Sequence, residues 1–271
     1  MGFLLIIINI LCSLNGFEDR VFFHKLKFEV DRILVFKEYK RVITSGFLHV
    51  GWVHLVMNMF SLYVFYNLLD SHVGNLVFTI IYFASLLGGS LLALYIHRNH
   101  GDYSAVGASG AVCGIIFASI ALFPAAGIGI IGLPFSIPGW LYGILFVLYS
   151  IYGIKSKKDN IGHEAHLGGA LVGMIVALLI HPSAFTENYL AILLISVPVI
   201  AFIYFIIKKP HVLWINNFYF KSKKKYYSID HKYNEGKVID QTEIDRILDK
   251  INRSGMNSLT DTERFRLKQK L

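Results

Sequence analysis

Residues 76–96 read LVFTIIYFASLLGGSLLALYI, a run of 21 residues without a charged side chain. An α-helix needs about 20 mostly apolar residues to cross the roughly 30 Å hydrocarbon core of a bilayer. Backbone N–H and C=O groups find no water inside that core, so a spanning segment of this composition is predicted to be helical. The stretch therefore predicts a transmembrane helix.

Six more apolar runs surround this one, and charged residues, Pro or Gly bound each of them. They are Gly2–Gly16, Phe47–Leu69, Ser104–Phe123, Gly139–Ile154, Gly162–Ile180 and Tyr189–Ile207. The chain is 55% hydrophobic and only 16% charged, whereas a soluble domain carries about 25% charged residues. The sequence predicts an all-α polytopic membrane helix bundle, with six core spans followed by one carboxy-terminal span. The first run is short enough for a signal peptide, but it lacks a basic leader and a small-residue cleavage site, so we favour a retained helix.

Basic residues are concentrated at the carboxy-terminal end of the chain. Of the 26 Lys and Arg residues, 15 lie after residue 207. We predict a transmembrane domain over residues 1–207, and a basic juxtamembrane segment with a small helical hairpin over residues 208–271. Aromatic and basic residues interleave from Trp214 to Tyr227, which suits the anionic headgroups of a lipid bilayer; nucleic acid is the poorer partner beside a span. In the hairpin, Gly255 ends the first helix and a capping box at Thr260 begins the second.

A mixed segment lies between the first two spans. From Glu18 to Gly46, acidic and basic residues interleave with apolar ones. This amphipathic pattern predicts a segment in the plane of the membrane interface.

Polar side chains inside spans are costly, so they mark the places where function is expected. Three places carry them: His49, His54 and Asn58 in the second span, Gly107, Ser109 and Gly110 in the fourth, and His166, Gly169 and Gly173 in the sixth. A purely structural interpretation is that these residues make interhelical hydrogen bonds and allow close packing of the helices. Together they also supply a hydroxyl nucleophile at a helix start, an imidazole base and fixed hydrogen-bond donors. That set of groups favours acyl transfer.

Other chemistries fit the sequence less well. The two cysteines lie in apolar runs, which excludes a disulfide framework and a cysteine-based zinc site. His163 and His166 are three residues apart, not the four of a zinc-binding His-Glu-x-x-His helix, so we predict no metal site there. Glu164 is two positions from His166 and should point away from it. His97, His100 and Asp102 are expected in a solvated loop.

Three motifs in order resemble the rhomboid family of intramembrane serine proteases. They are His49-x-x-x-x-His54-x-x-x-Asn58, Gly107-x-Ser109-Gly110 and Ala165-His166-x-x-Gly169-x-x-x-Gly173. The resemblance implies that Ser109 is the nucleophile and His166 its general base, in a dyad without an acidic third member. It implies that His54 and Asn58 donate to the oxyanion, and that His49, Gly107, Gly110, Gly169, Gly173 and Arg41 are structural residues near the site.

The chain departs from the family pattern at two places. Many members carry Trp-Arg in the first loop, where this chain has Lys40-Arg41; Arg41 is expected to keep its structural hydrogen bonds. Many members also place an aromatic ring one turn after the serine, stacked on the catalytic imidazole. This chain has Cys113 there, so His166 is expected to be oriented by packing alone.

The resemblance implies an integral, multi-pass protease of a bacterial inner membrane, which needs no metal or cofactor and cuts single-pass membrane proteins. The alternative is a rhomboid-like pseudoprotease that binds membrane helices without cleavage; the presence of both Ser109 and His166 speaks against it. Membrane orientation has two conflicting indications. The loops after spans one, three and five hold eleven Lys and Arg residues and the opposite loops hold none, which places the former in the cytoplasm, whereas the family orientation places them outside. We favour the family orientation.

Overall fold

The structure is a computed structural model that describes residues 1–129, 136–156, 161–208, 245–252, 255 and 258–259. The chain divides into two compact units, residues 1–222 and 223–271. The division predicted at residue 207 stays a prediction.

Helices dominate the described part of the first unit. They are α1 (Gly2–Glu18), α2 (Arg20–Leu26), α3 (Val30–Leu34), α4 (Arg41–Thr44), α5 (Trp52–His97), α6 (Ser109–Leu122), α7 (Gly139–Ser156), α8 (His163–Ile180) and α9 (Ser183–Lys208). Two antiparallel strand pairs accompany them: β1 (Phe28–Glu29) with β2 (Ser104–Ala105), and β3 (Gly127–Gly129) with β4 (Ser136–Pro138).

Helix α5 contains the second and third predicted spans. Its 46 residues would extend about 69 Å if straight, roughly twice the thickness of the hydrocarbon core. At Gly74 the backbone turns non-helical, with φ 77° and ψ 161°, a conformation that costs glycine little. The break gives an amino-terminal arm (residues 52–73) and a carboxy-terminal arm (residues 75–97). The break at Gly74 lies between the predicted second and third spans, which end at Leu69 and restart at residue 76, although Asp70 to His72 are themselves helical.

Three described helices, α5, α8 and α9, are long and apolar enough to cross a membrane, while α1, α6 and α7 are apolar but shorter. The prediction of an all-α membrane bundle is confirmed, and the chain is an integral membrane protein. Several predicted bounds are wrong. The second span begins at Trp52 because residues 45–47 form a 3-10 turn, and the fourth begins at Ser109 because Ser104 lies in β2. Helix α9 begins at Ser183, but its backbone is non-helical at Asn188, so the run that follows starts at Tyr189, as predicted for the seventh span.

Helices α5, α6 and α8 form the centre of the bundle and make its most extensive contacts. Every residue of α6 from Gly110 to Ala121 is buried. Glycines set the helix spacing: a β-carbon added at Gly169 would overlap the carbonyl oxygen of Gly110, and one added at Gly173 would overlap that of Gly114. Close backbone approach of this kind requires the missing side chain.

The segment between α1 and α5 is more deeply packed than an interfacial helix would be. Phe28, Val30, Ile33 and Val42 form a separate buried cluster, against which Leu94 and Tyr103 pack. Strand β1 pairs with β2, just ahead of Ser109 along the chain. The sequence pattern indicates an apolar face on this segment. In the structure other parts of the chain pack against that face.

Little of the second unit is described. Residues 245–252 are helical, and Ile247 is fully buried. Gly255 has φ 75° and its N–H donates to the Ile251 carbonyl over 2.8 Å, as expected for a glycine that ends a helix. The predicted aromatic and basic segment and the capping box at Thr260 lie outside the described residues.

Candidate active site

Ser109 and His166 meet in the structure. Ser109 is the first residue of α6 and His166 lies in the first turn of α8. His166 Nε2 is 2.7 Å from Ser109 Oγ, although 57 positions separate the two residues in the chain. A neutral imidazole at this distance can accept the hydroxyl proton.

The glycines of the motifs explain how two helix starts come this close. A β-carbon at Gly110 would lie 3.2 Å from the Ala165 carbonyl oxygen, next to His166. Gly169 and Gly173 continue this close backbone contact between α8 and α6. The small residues thus fix the separation of the helices that carry the dyad.

His54 lies beside the loop that carries the serine. We call residues 98–108 the serine loop. Gly107 has φ 133°, and a β-carbon there would lie 2.9 Å from His54 Nε2 and 3.6 Å from Ser109 Oγ. The imidazole and the hydroxyl therefore border the same space, which only a residue without a side chain leaves open.

Asn58 lies one turn after His54 on α5 and is buried. Its Nδ2 donates to the His54 carbonyl over 2.9 Å. An amide nitrogen carries two hydrogens, so a second remains for a ligand. Both side chains line the same cavity as Ser109 and His166.

His49 lies in the loop before α5, not in the helix, and is fully buried. Its Nε2 accepts from the Ala108 N–H at 3.5 Å, and its Nδ1 is 2.9 Å from Ser13 Oγ, which also contacts the Phe47 carbonyl at 3.2 Å. The network is consistent with a neutral ring protonated on Nδ1. Burial, with a smaller effect of nearby His54, lowers the pKa of His49 to about 3. A neutral histidine therefore connects α1 to the residue immediately before Ser109.

Arg41 ties the segment between α1 and α5 together. It is 4% exposed, and its guanidinium donates to the carbonyls of His24 and Lys27 over 2.7 and 2.8 Å and to the Glu38 carboxylate. The turn that follows reaches the site, since the Ser45 carbonyl accepts the Gly107 N–H over 3.0 Å. The expected hydrogen bonds of Arg41 are present despite the loss of the preceding tryptophan.

Two aromatic rings lie near the ring of His166, one of them on another helix. Phe146 of α7 lies 6.1 Å from the His166 ring and His163 lies 5.9 Å from it, measured between centroids. Cys113 is buried one turn after Ser109. No sequence motif indicates Phe146, because its proximity to His166 depends on how α7 packs.

A cavity of about 1270 Å³ connects these groups. Its lining combines Ser109, His166, His54 and Asn58 with apolar side chains such as Met57. A mostly apolar concave site with a few convergent polar groups is typical of a binding or catalytic site.

The remaining polar candidates are placed elsewhere in the cavity wall. Glu164 contacts His97 at 3.2 Å and points away from the dyad, as predicted. His97 is not a solvated loop residue; it ends α5 and stacks on Tyr103 at 3.6 Å. Among the described residues, no three His, Cys, Asp or Glu side chains are grouped so that they could hold a metal ion.

Two family profiles match this chain. A profile of the Rhomboid domain matches residues 37–183, more than half of the chain. A second profile, for a family of unknown function (DUF6576), matches residues 227–270.

Similar proteins come from plants, yeast and bacteria. RHOMBOID-like protein 12, mitochondrial, of Arabidopsis thaliana is 33% identical over 149 residues, which are 49% of this chain and 44% of that protein. Rhomboid protein 1, mitochondrial, of Saccharomyces cerevisiae is 31% identical over 137 residues, 49% of this chain and 40% of that protein. The rhomboid protein YdcA of Bacillus subtilis is 36% identical over 78 residues, 29% of this chain and 38% of that protein.

The matched segments span less than half the length of each of these relatives. The range matched by the Rhomboid profile nevertheless contains Ser109, His166, His54 and Asn58. By its domain match, its order of motifs and its helical bundle, this chain belongs to the rhomboid family.

Proposed function

We propose that the chain is an intramembrane serine protease in which Ser109 and His166 form the catalytic dyad. The observation that carries the proposal is the 2.7 Å contact between His166 Nε2 and Ser109 Oγ at the wall of a large cavity. A packing role for the two residues would not need a hydroxyl and an imidazole to meet at the start of two helices beside open space.

The chemistry follows from this pairing. His166 Nε2 takes the proton of Ser109 as Oγ bonds to the carbonyl carbon of the scissile peptide, and the carbonyl oxygen becomes an oxyanion. The protonated imidazole then gives its proton to the leaving amine as the C–N bond breaks, which leaves an acyl-enzyme. Water, deprotonated by His166, releases the new carboxylate and restores the serine hydroxyl.

We assign His54, Asn58 and the Ser109 N–H as donors to the oxyanion. The placement of His54 against Gly107 and the spare hydrogen of Asn58 support this role. The first N–H groups of a helix lack intrahelical partners and form the positive end of the helix dipole. This end of α6 therefore favours an anion near Ser109.

The substrates are single-pass membrane proteins. A peptide bond inside a helix is shielded, so the substrate must unwind before its carbonyl reaches Ser109; segments with small residues and weak helix propensity unwind most readily. A cavity of about 1270 Å³ can hold several unwound residues.

The test is cleavage of a reporter transmembrane substrate by the full chain in proteoliposomes. Ser109→Ala and His166→Ala should each abolish cleavage while the protein stays folded. Ser119→Ala on the same helix and His181→Ala at the far end of α8 are matched controls and should cleave like the wild type. Turnover by either dyad variant would overturn the assignment, and a folded wild type that binds the substrate without cutting it would be a pseudoprotease.

We place the protein in a bacterial inner membrane, with the ends of α6 and α8 that carry the dyad outside the cytoplasm. The similarity to a Bacillus subtilis protein supports a bacterial source, and similarity to mitochondrial proteins makes an organelle membrane the competing location. A reporter inserted between α7 and α8, active only in an oxidising compartment, should be active. Activity of a cytoplasmic reporter at the same position would mean that the basic loops set the orientation.

The basic tail, residues 208–271, is proposed to bind anionic headgroups. The support is its Lys and Arg content and the attraction of such segments to acidic lipids. Removal of residues 223–271 should weaken the chain's preference for vesicles with phosphatidylglycerol over neutral ones during reconstitution; an unchanged preference would contradict the role.

A further inference from the structure

An ionisable pair, Glu164 and His97, connects the two parts of the chain that carry the dyad. Glu164 Oε1 lies 3.2 Å from His97 Nε2, and the side chains are 12% and 16% exposed. Glu164 is two residues before His166 in α8, and His97 is the last residue of α5, immediately before the serine loop. The contact thus spans 67 positions of sequence.

The histidine of this pair is firmly attached to the serine loop. Its ring stacks on Tyr103 with centroids 3.6 Å apart and planes inclined by 6°, and the ring of His100 is 5.8 Å away. The Tyr103 carbonyl accepts the Val30 N–H over 3.2 Å. Tyr103 then leads through β2 and Gly107 to Ser109.

The glutamate is equally well fixed to the start of α8. It is the second residue of α8, directly after His163, which is buried. The next residue, Ala165, is held between glycines, since β-carbons at Gly89 and Gly110 would contact its carbonyl oxygen. These glycine contacts set the spacing of the helices. The Glu164–His97 contact adds a side-chain link between the start of α8 and the end of α5, where Tyr103 of the serine loop stacks on His97.

We propose that Glu164 and His97 are positioning residues for the Ser109–His166 dyad. They hold the serine loop against the first turn of α8, so that the nucleophile and base keep their distance when an unwound substrate enters the cavity. The inference rests on the proposed protease function. Catalysis depends steeply on such alignment, and a displacement of about 1 Å can cost about 100-fold in rate.

The experiment exchanges the two partners in the full chain. Glu164→His and His97→Glu each place like groups opposite one another, whereas the double variant restores an acid opposite an imidazole. In proteoliposomes, each single variant should lower kcat about tenfold or more with little change in KM, and the double variant should recover most of the loss. Glu187→His, an exposed acid at the start of α9, is the matched control and should keep the wild-type kcat.

The swap separates positioning from helix capping. If Glu164 only stabilises the amino terminus of α8, the double variant would be as slow as Glu164→His alone, which would overturn the proposal. Single variants with wild-type kcat would also overturn it.

Hydrogen exchange tests the contact without relying on catalysis. Each single variant should speed exchange of backbone N–H groups in residues 98–108 and 161–166, and the double variant should slow it again. Unchanged exchange in both segments would overturn the proposal even in an active protease. If the wild type neither cleaves nor binds an active-site probe while exchange responds as expected, the protease function fails and the attachment between the two segments is upheld.

Discussion

The central helices and the peripheral helices of this bundle pack in different ways. Between α6 and α8, backbone lies against backbone, because Gly110, Gly169 and Gly173 carry no side chain. Helix α9 instead buries one face only, through larger side chains such as Ile195 and Phe202. Backbone contacts have no rotamers with which to adjust, whereas side-chain contacts do.

The difference accounts for where the dyad lies. Ser109 and His166 both start helices of the rigid centre, and the distance between them is set by glycine contacts. Helix α7, which brings Phe146 near His166, meets its neighbour through Gly143 and the end of the Ile195 side chain. We expect the centre to be intolerant of added volume and the periphery to accept it.

A matched pair of glycine substitutions gives the largest expected contrast. Gly169→Ala places a methyl group on the Gly110 carbonyl, so α8 must move; a loss of about 100-fold or more in kcat/KM is expected. In Gly143→Ala the new methyl meets Ile195 Cδ1 at 2.6 Å, a flexible side-chain end, so a stability cost of about 1 kcal/mol, at the low end for added volume, is expected. Cleavage rates and thermal unfolding in detergent measure both effects. If the two variants lost kcat/KM and stability to the same extent, the distinction between centre and periphery would be removed.

The proposed donors on α5 should affect the rate by a similar factor. Asn58→Ala and His54→Ala should each lower kcat by about 10² to 10³, with a smaller effect on KM, because a donor acts most strongly as the oxyanion forms. Steady-state kinetics on the reporter substrate separates the two constants. Asn67→Ala, an exposed asparagine on the same arm that also bonds the carbonyl four residues back, is the control. Full activity in both variants would mean that His54 and Asn58 serve only in helix packing.

His49 should matter for stability more than for rate. His49→Ala leaves the Ala108 N–H without its acceptor and removes one of the two contacts of the Ser13 hydroxyl, a loss of about 1–3 kcal/mol. Thermal unfolding in detergent measures it, and unchanged stability would contradict the connecting role.

The pH dependence of stability tests whether His49 is neutral in the folded protein. The folded pKa of His49 is about 3, below the value of about 6.5 in an unfolded chain. Below pH 6.5 the unfolded chain takes up a proton that the folded chain excludes, so stability is complete above that pH and is lost as pH falls toward 3. The stability difference between wild type and His49→Gln should shrink by about 2 kcal/mol from pH 7.5 to pH 5. A difference independent of pH would mean that His49 is not buried in its neutral form.

Sequence patterns predicted the helices and motifs because both are local. Apolar runs of sufficient length indicate spans, and the spacing of His54 and Asn58 places them on one helix face. The Arg41 hydrogen bonds were expected from the family pattern, but their partners were not. Those partners, the Ser13–His49 contact and the Ser45–Gly107 hydrogen bond join residues distant in sequence, and periodicity does not report such contacts. The start of α5 was misplaced because Phe47 and Leu48 are as apolar as the helix that follows.

Covalent labelling tests the central claim most directly. A fluorophosphonate reacts with a serine whose hydroxyl is activated by a base, so it should modify the detergent-solubilised protein at Ser109, with the site identified by mass spectrometry. Labelling should disappear in Ser109→Ala, fall strongly in His166→Ala, and persist in Ser119→Ala. Absence of labelling at Ser109 in the folded wild type, or labelling that does not depend on His166, would contradict the assignment of the dyad.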